Sequence, residues 1–156
     1  LKSGSITGGA ASIGHYEANG EQMARAMHSS IQQAEIGLKE IDQIDVSANF
    51  SGELDRREYQ QLGKIFMDRP EDISVTPLKY LIGNFGGAGA IRAGAILLSL
   101  YHQQPLPTVN AELLNGDPQH CVKWKIHPER ETKAVLMTST TFGGGSTSMV
   151  FTFHPQ

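Results

Sequence analysis

Between residues 20 and 36 the chain sets Met23, Met27, Ile31 and Ala34 at three- and four-residue spacing, with amide and charged side chains between them. That period predicts an amphipathic helix, with Gly37 as its carboxy-terminal stop. A second helical pattern runs from Asp55 to Phe66, where Tyr59, Leu62 and Phe66 share one stripe. The segment from Gly86 to Tyr101 differs: Gly, Ala, Ile and Leu lie on nearly every side, and Arg92 is its only charge. A helix apolar all round is expected to be buried on all faces. Its small residues Gly87, Ala88, Gly89, Ala93 and Gly94 would let neighbouring backbones approach closely, against a cost of about 1 kcal/mol per glycine.

Shorter runs between these helices read as strands: residues 3–13, the stretch entered through Ile41 to Ala48, Ile73 to Val75, Ala134 to Met137, and Ser148 to Phe153. Asp68 to Asp72 reads as a turn, Pro105 to Asn110 as an extended exit, and 111–131 as polar loop. Thr140 to Ser146, with three glycines, joins the last two strands and resembles a hairpin under close steric constraint. Alternating strands and helices give an α/β fold class. There is no internal repeat and no low-complexity segment.

Length and composition narrow the picture. A chain of 156 residues is expected to form one domain and to bury roughly 70% of its unfolded surface. A net charge of −3 favours neither nucleic acid nor an anionic membrane as partner. No apolar run reaches the ~20 residues of a membrane helix, and no signal-peptide pattern opens the chain. One cysteine excludes an internal disulfide and fits a reducing, cytoplasmic setting. The chain begins at Leu1 and moves almost at once into a strand, as a cut within a longer protein would.

Six short motifs in order carry a resemblance. Val75-Thr-Pro-Leu-Lys-Tyr-Leu-Ile-Gly-Asn84 followed by a Gly/Ala-rich helix resembles the lysine–histidine signature of the β-ketoacyl synthases, with Lys79 present and Asn84 in the histidine's place. Gly20 to Met27 resembles the family's Gly-x-x-x-Ala-Arg-Ala-Met helix. Ile44 to Asn49 resembles the strand that usually ends in Asn-Ala-His-Gly-Thr. Asp55 and Glu58 match the acidic pair of the next helix, Pro105 to Asn110 resembles Ile-Pro-Pro-Thr-x-Asn, and Phe142-Gly-Gly resembles the glycine loop that gates the acyl pocket. The resemblance implies that residues 1–156 are the carboxy-terminal half of a thiolase-like layered α/β/α/β/α fold, with 86–101 as its buried central helix. The resemblance places the family's nucleophilic cysteine in an amino-terminal half outside residues 1–156. On its own this half would expose faces meant for the other, so it is expected to stay with its own N-terminal fragment as one piece of a cleaved or split subunit.

The departures from the pattern carry the functional expectation. Asn49 and Asn84 stand where the resemblance places the two histidines, and Gly52-Glu-Leu-Asp-Arg-Arg-Glu58 is similar to the Pro-Glu-Leu-Asp-x-x-Glu of chain-length factors. Imidazole exchanges a proton near neutral pH, whereas a carboxamide hydrogen-bonds without titrating. Loss of a general acid–base group costs on the order of 10²–10⁴-fold in rate. The resemblance therefore implies a non-condensing chain-length factor that forms a heterodimer with a ketosynthase subunit, meets acyl carrier protein, and shapes the tunnel for a poly-β-ketone. The alternatives are an active β-ketoacyl synthase with an unusual site, and a non-enzymatic acyl-binding or scaffold protein.

Each candidate residue has a plainer reading too. Asn49 and Asn84 are either vestigial ligand contacts or loop residues bonding local backbone. Lys79 is expected to hold a structural hydrogen bond or ion pair, and Asp55 and Glu58 to cap a helix or complement its dipole. Phe142 either gates the pocket or packs between two strands. There is no Gly-x-x-x-x-Gly-Lys-Ser/Thr and no Gly-x-Gly-x-x-Gly with a following acidic residue, so no nucleotide or other cofactor is expected. His15, His28, His102, His120, His127 and His154 fall at none of the family's catalytic positions. His120 and Cys121 are adjacent, which is not metal-ligand spacing, so no metal is expected and Cys121 reads as packing or surface.

Overall fold

The computed structural model describes residues 1–49, 51–68, 73–107 and 131–153. Five strands form one mixed sheet in the order β1-β5-β4-β2-β3: β1 is Ser3–Gly8, β2 Gln43–Asp45, β3 Ser74–Thr76, β4 Ala134–Thr140 and β5 Gly145–Thr152. β2 runs parallel to both β3 and β4, whereas β4, β5 and β1 are joined antiparallel. The parallel pairs require helical crossovers, which α2 (Gly52–Ile65) provides between β2 and β3.

Strand alternation sorts the side chains onto two faces. Leu136 and Val150, directly opposite each other in the register, join a core with Ile44, Val46 and the buried stripes of α1 (Glu21–Ala34) and α2. Val135, Met137 and Phe151 face the other way, onto Ile96, Leu100 and Leu106, with α4 (Ala88–His102) as the covering helix and Leu78 of α3 (Leu78–Ile82) at its edge. Met23, Met27, Ile31 and Ala34 of α1 are all buried, as their period predicts. Each fully buried large aliphatic contributes roughly 1.5–3 kcal/mol.

Three expectations need correction. The first helix stops before Gly37, because Glu35 takes the left-handed turn at φ 56° and its N–H bonds Gln32 O. Turning there lets Ile36 and Leu38 pack back onto the core, and Gly37 instead opens a short 3-10 turn in extended geometry. The second helix starts at Gly52, three residues before Asp55, because Leu54 packs its first turn into the core. Most important, α4 is not buried on all sides among the described residues. Ile91, Leu97, Leu98 and Tyr101 lie open, with Leu98 62% and Tyr101 74% exposed, while the one charged residue, Arg92, is fully buried. Gly86, Gly87 and Gly94 meet nothing within 4 Å of where a Cβ would stand, so no described segment uses their smallness. Residues 108–110 of the expected exit and 111–130 of the loop expected over 111–131 lie outside the described residues, as do His120, Cys121, His127, His154 and most of the turn before Ile73.

Candidate functional site

The carboxy-terminal ends of β2 and β4 converge on a buried ionic cluster. Arg92 reaches in from α4, and its Nε donates to Asp45 Oδ2 at 2.7 Å, with both side chains wholly buried. Its Nη2 donates to the carbonyls of Asp45, Val46 and Thr138 at 3.2, 3.0 and 2.7 Å. One cation thus holds the exits of two adjacent strands and pins the covering helix to them. Burial raises the Asp45 carboxyl above its ordinary value, and the charge and hydrogen bond of Arg92 oppose that rise.

Glu58, one turn further along α2 than Asp55, enters the same layer. Its Oε1 accepts the Ser47 N–H at 2.8 Å and the Thr138 hydroxyl, while its Oε2 is buried with no partner among the described residues. Its work is therefore the clamping of two strand ends; it does not cap its own helix. Burial lifts this carboxyl above 4.5, and the bonds from Thr138 and Ser47 pull the other way. A carboxyl raised in the fold adds stability that is complete below its unfolded value and is lost as pH climbs through the folded one. Glu58→Gln should therefore flatten the decline in stability above pH 4.5. Chemical denaturation at a series of pH values reads this directly, and an unchanged slope in the variant would contradict it.

Lys79 is also buried, and its Nζ donates to Ser47 Oγ at 3.3 Å, a structural hydrogen bond of the kind expected for it. Ser47 Oγ further accepts the Thr140 N–H at 2.9 Å. Burial lowers the Lys79 amine, and the neighbouring Arg92 charge lowers it further. The residue presented to this lysine is Ser47, two positions before Asn49. Sequence reasoning passed over Ser47.

Above the cluster lies an open cleft of about 380 Å³ that gathers Asn49, Asn84 and Phe142 from three separate parts of the chain. Asn49 is fixed on three sides: its N–H donates to Asp55 Oδ1 at 3.0 Å, its Oδ1 accepts Ser51 N–H at 3.1 Å, and its Nδ2 donates to the Tyr16 hydroxyl at 3.4 Å. Asp55 also accepts from the Tyr80 hydroxyl at 2.5 Å, so it organises the loop before α2 as well as lying in the first turn of that helix. Asn84 lies exposed in the lining of the same cleft. Phe142 sits in the hairpin turn, 59% exposed, so it does not pack between strands; its ring lies 4.6 Å from that of Tyr16, inclined by 36°.

The hairpin and the 9–16 loop are tied together. Gly9 donates to Gly144 O and Gly143 donates to His15 O, each at 3.0 Å. A Cβ on Gly144 would stand 2.7 Å from Gly9 O, and Gly143 and Gly144 both take positive φ, which is why this turn needs glycine. The tie brings His15 and Tyr16 into the cleft, and neither was flagged for that place by periodicity or motif. A lone charge in an apolar helix, as at Arg92, is the one sequence signal that could have disclosed the cluster. Among the described residues no group of three or more His, Cys, Asp or Glu could hold a metal ion.

Comparison with known proteins agrees with this architecture. Residues 1–112 match the family described as β-ketoacyl synthase, C-terminal domain. The chain is 27% identical over 136 residues to a putative polyketide β-ketoacyl synthase 1 of Streptomyces halstedii, covering 85% of this chain and 32% of that protein. It is 30% identical over 137 residues to the chloroplastic 3-oxoacyl-[acyl-carrier-protein] synthase II of Arabidopsis thaliana, covering 85% of this chain and 25% of that one. Among solved structures, the fold is shared with a ketosynthase in complex with its chain-length factor from Xenorhabdus doucetiae, at TM-score 0.85 and 24% identity over 99% of this chain and 39% of that one. A type II polyketide acyl-carrier protein in complex with its ketosynthase bound to the hexaketide gives TM-score 0.83 and 21% identity, over 99% of this chain and 38% of that one. The chain thus spans between a quarter and a third of the length of these two sequence relatives.

Proposed function

Because the chain belongs to the β-ketoacyl synthase family, through its carboxy-terminal domain, we propose that it is the matching part of a chain-length factor, the non-condensing partner of a ketosynthase in type II polyketide biosynthesis. The observation that carries this reading is the cleft itself. Asn49 and Asn84, the positions assigned by resemblance to imidazoles, both line it, and both present carboxamides that do not titrate. Such a wall hydrogen-bonds the carbonyls of a growing chain and leaves the proton transfers of condensation to another subunit. The partners are an active ketosynthase, acyl carrier protein, and an amino-terminal half lying against α4. The setting is cytoplasmic.

The open face of α4 supports the last of these partners. Its exposed Leu97, Leu98 and Tyr101, beside glycines with empty space around them, form a surface built for close approach by another helix. Leu98→Asp should leave both cores untouched and weaken the association with the amino-terminal half by at least about 2 kcal/mol, roughly thirtyfold. Pull-down of the separately tagged halves measures it, and retained binding would remove this face from the interface.

The whole reading is tested by co-expression with a ketosynthase followed by cysteine labelling of the co-eluting complex. The expected result is a stable pair in which only the ketosynthase labels at a reactive cysteine and condensation needs both proteins. Condensation by this protein alone would overturn it. One observation favours the second reading, an active synthase: the His15 imidazole at the cleft wall.

A further inference from the structure

The cleft carries a combination of groups that chain-length control does not require. His15 is exposed at its wall, and its backbone is anchored on both sides: its N–H donates to Ser12 O and its carbonyl accepts Gly143 N–H, each at 3.0 Å. Tyr16, next to it, accepts from Asn49 Nδ2 at 3.4 Å, and its phenolic O–H remains a donor in its own right, with no acceptor among the described residues. Asn84 adds an exposed carboxamide to the cleft lining, with no hydrogen-bond partner among the described residues either. One imidazole, one free phenolic O–H and two carboxamides therefore share a small volume, with no thiol among the described residues of the chain. Of the other histidines in the described residues, His28 lies on α1 and His102 stands edge-on to Tyr101 at the end of α4.

A base beside neutral hydrogen-bond donors is the arrangement that removes a proton next to a carbonyl, because the donors stabilise the oxyanion that forms. We propose that His15 is a catalytic base that enolises a β-keto thioester held in this cleft. The α-C–H bond breaks, its proton passes to an imidazole nitrogen, and its electron pair becomes the enolate, whose oxygen accepts from the Tyr16 hydroxyl and the Asn84 amide. Return of a proton from the imidazolium to the same carbon restores the substrate, so no further reactant is consumed. The charged and titratable groups that face His15 are Tyr16 beside it and Glu53 from the first turn of α2; Glu17, the next acidic residue along the loop, is engaged with the Gln22 N–H at 3.0 Å. The inference rests on the cleft being an acyl-thioester site, and its test needs no partner subunit.

The full-length protein is incubated in deuterium oxide with the N-acetylcysteamine thioester of 2-methyl-3-oxobutanoic acid, whose single α-proton exchanges in buffer at a measurable background rate. Proton magnetic resonance follows loss of the α-signal. The protein should raise the exchange rate above the buffer rate. His15→Gln should remove at least about a hundredfold of that surplus, Tyr16→Phe should reduce it, and His28→Gln should leave it unchanged. A surplus that survives in His15→Gln, or a wild-type rate equal to buffer, overturns the proposal. Either outcome leaves the ketosynthase co-elution result standing, so the two readings fail separately.

Discussion

Arg92→Ala should cost about 3–5 kcal/mol, the usual penalty for removing one partner of a buried ion pair. The loss is large because a single guanidinium serves Asp45 and three strand-end carbonyls, and all of them would be left unpaired in a buried layer. Against a total stability of about 5–15 kcal/mol for a domain, many preparations of the variant would be largely unfolded. Urea denaturation gives the value where the variant folds. A partial rescue is also expected: combining Arg92→Met with Asp45→Leu removes both charges and should be less harmful than Arg92→Ala alone. If the double variant is the worse of the two, the ionic cluster does not act as one unit.

The second large effect is expected at Gly144. Replacing it by valine forces a β-branched residue into φ 86° and drives a Cβ to 2.7 Å from Gly9 O, an atom of backbone that cannot rotate aside. Left-handed strain costs about 1–3 kcal/mol, and loss of the Gly9 to Gly144 hydrogen bond adds about 1 kcal/mol. At about 2–4 °C per kcal/mol for a chain of this size, a fall of several degrees or more in Tm is expected. The consequence extends to the cleft, because this contact and the Gly143 to His15 bond together bring Tyr16 against Phe142. Amide hydrogen exchange at Gly9 and Gly143 should accelerate markedly in Gly144→Val. Protection equal to that of the parent would show that the loop is held some other way.

How much of this was legible beforehand differs from residue to residue. The helix of Met23, Met27, Ile31 and Ala34 could be read directly, because a 3.6-residue period reports one buried face whatever lies against it. The glycine hairpin was legible too, since consecutive glycines mark backbone that other residues cannot adopt. The end of α1 was not, because tertiary packing of Ile36 and Leu38 pays for a non-glycine turn at Glu35. Asn49, Asn84 and Phe142 could be named from motif resemblance, but their gathering into one cleft follows from the sheet order. Ser47, Arg92, His15 and Tyr16 were missed for their actual roles because each depends on a distant partner: Arg92 and Asp45 are 47 positions apart in the chain.

The amino-acid sequence alone determined the α/β class, the amphipathic faces of two helices and the family to which the chain belongs, since all of these are written in local period and ordered short motifs. Only the tertiary structure decided which charge is buried, which face of α4 is left open, and which side chains share the cleft. Those outcomes depend on parallel crossovers that bring the ends of β2 and β4 beside α4, and no local pattern of residues encodes how far apart in the chain such meetings occur.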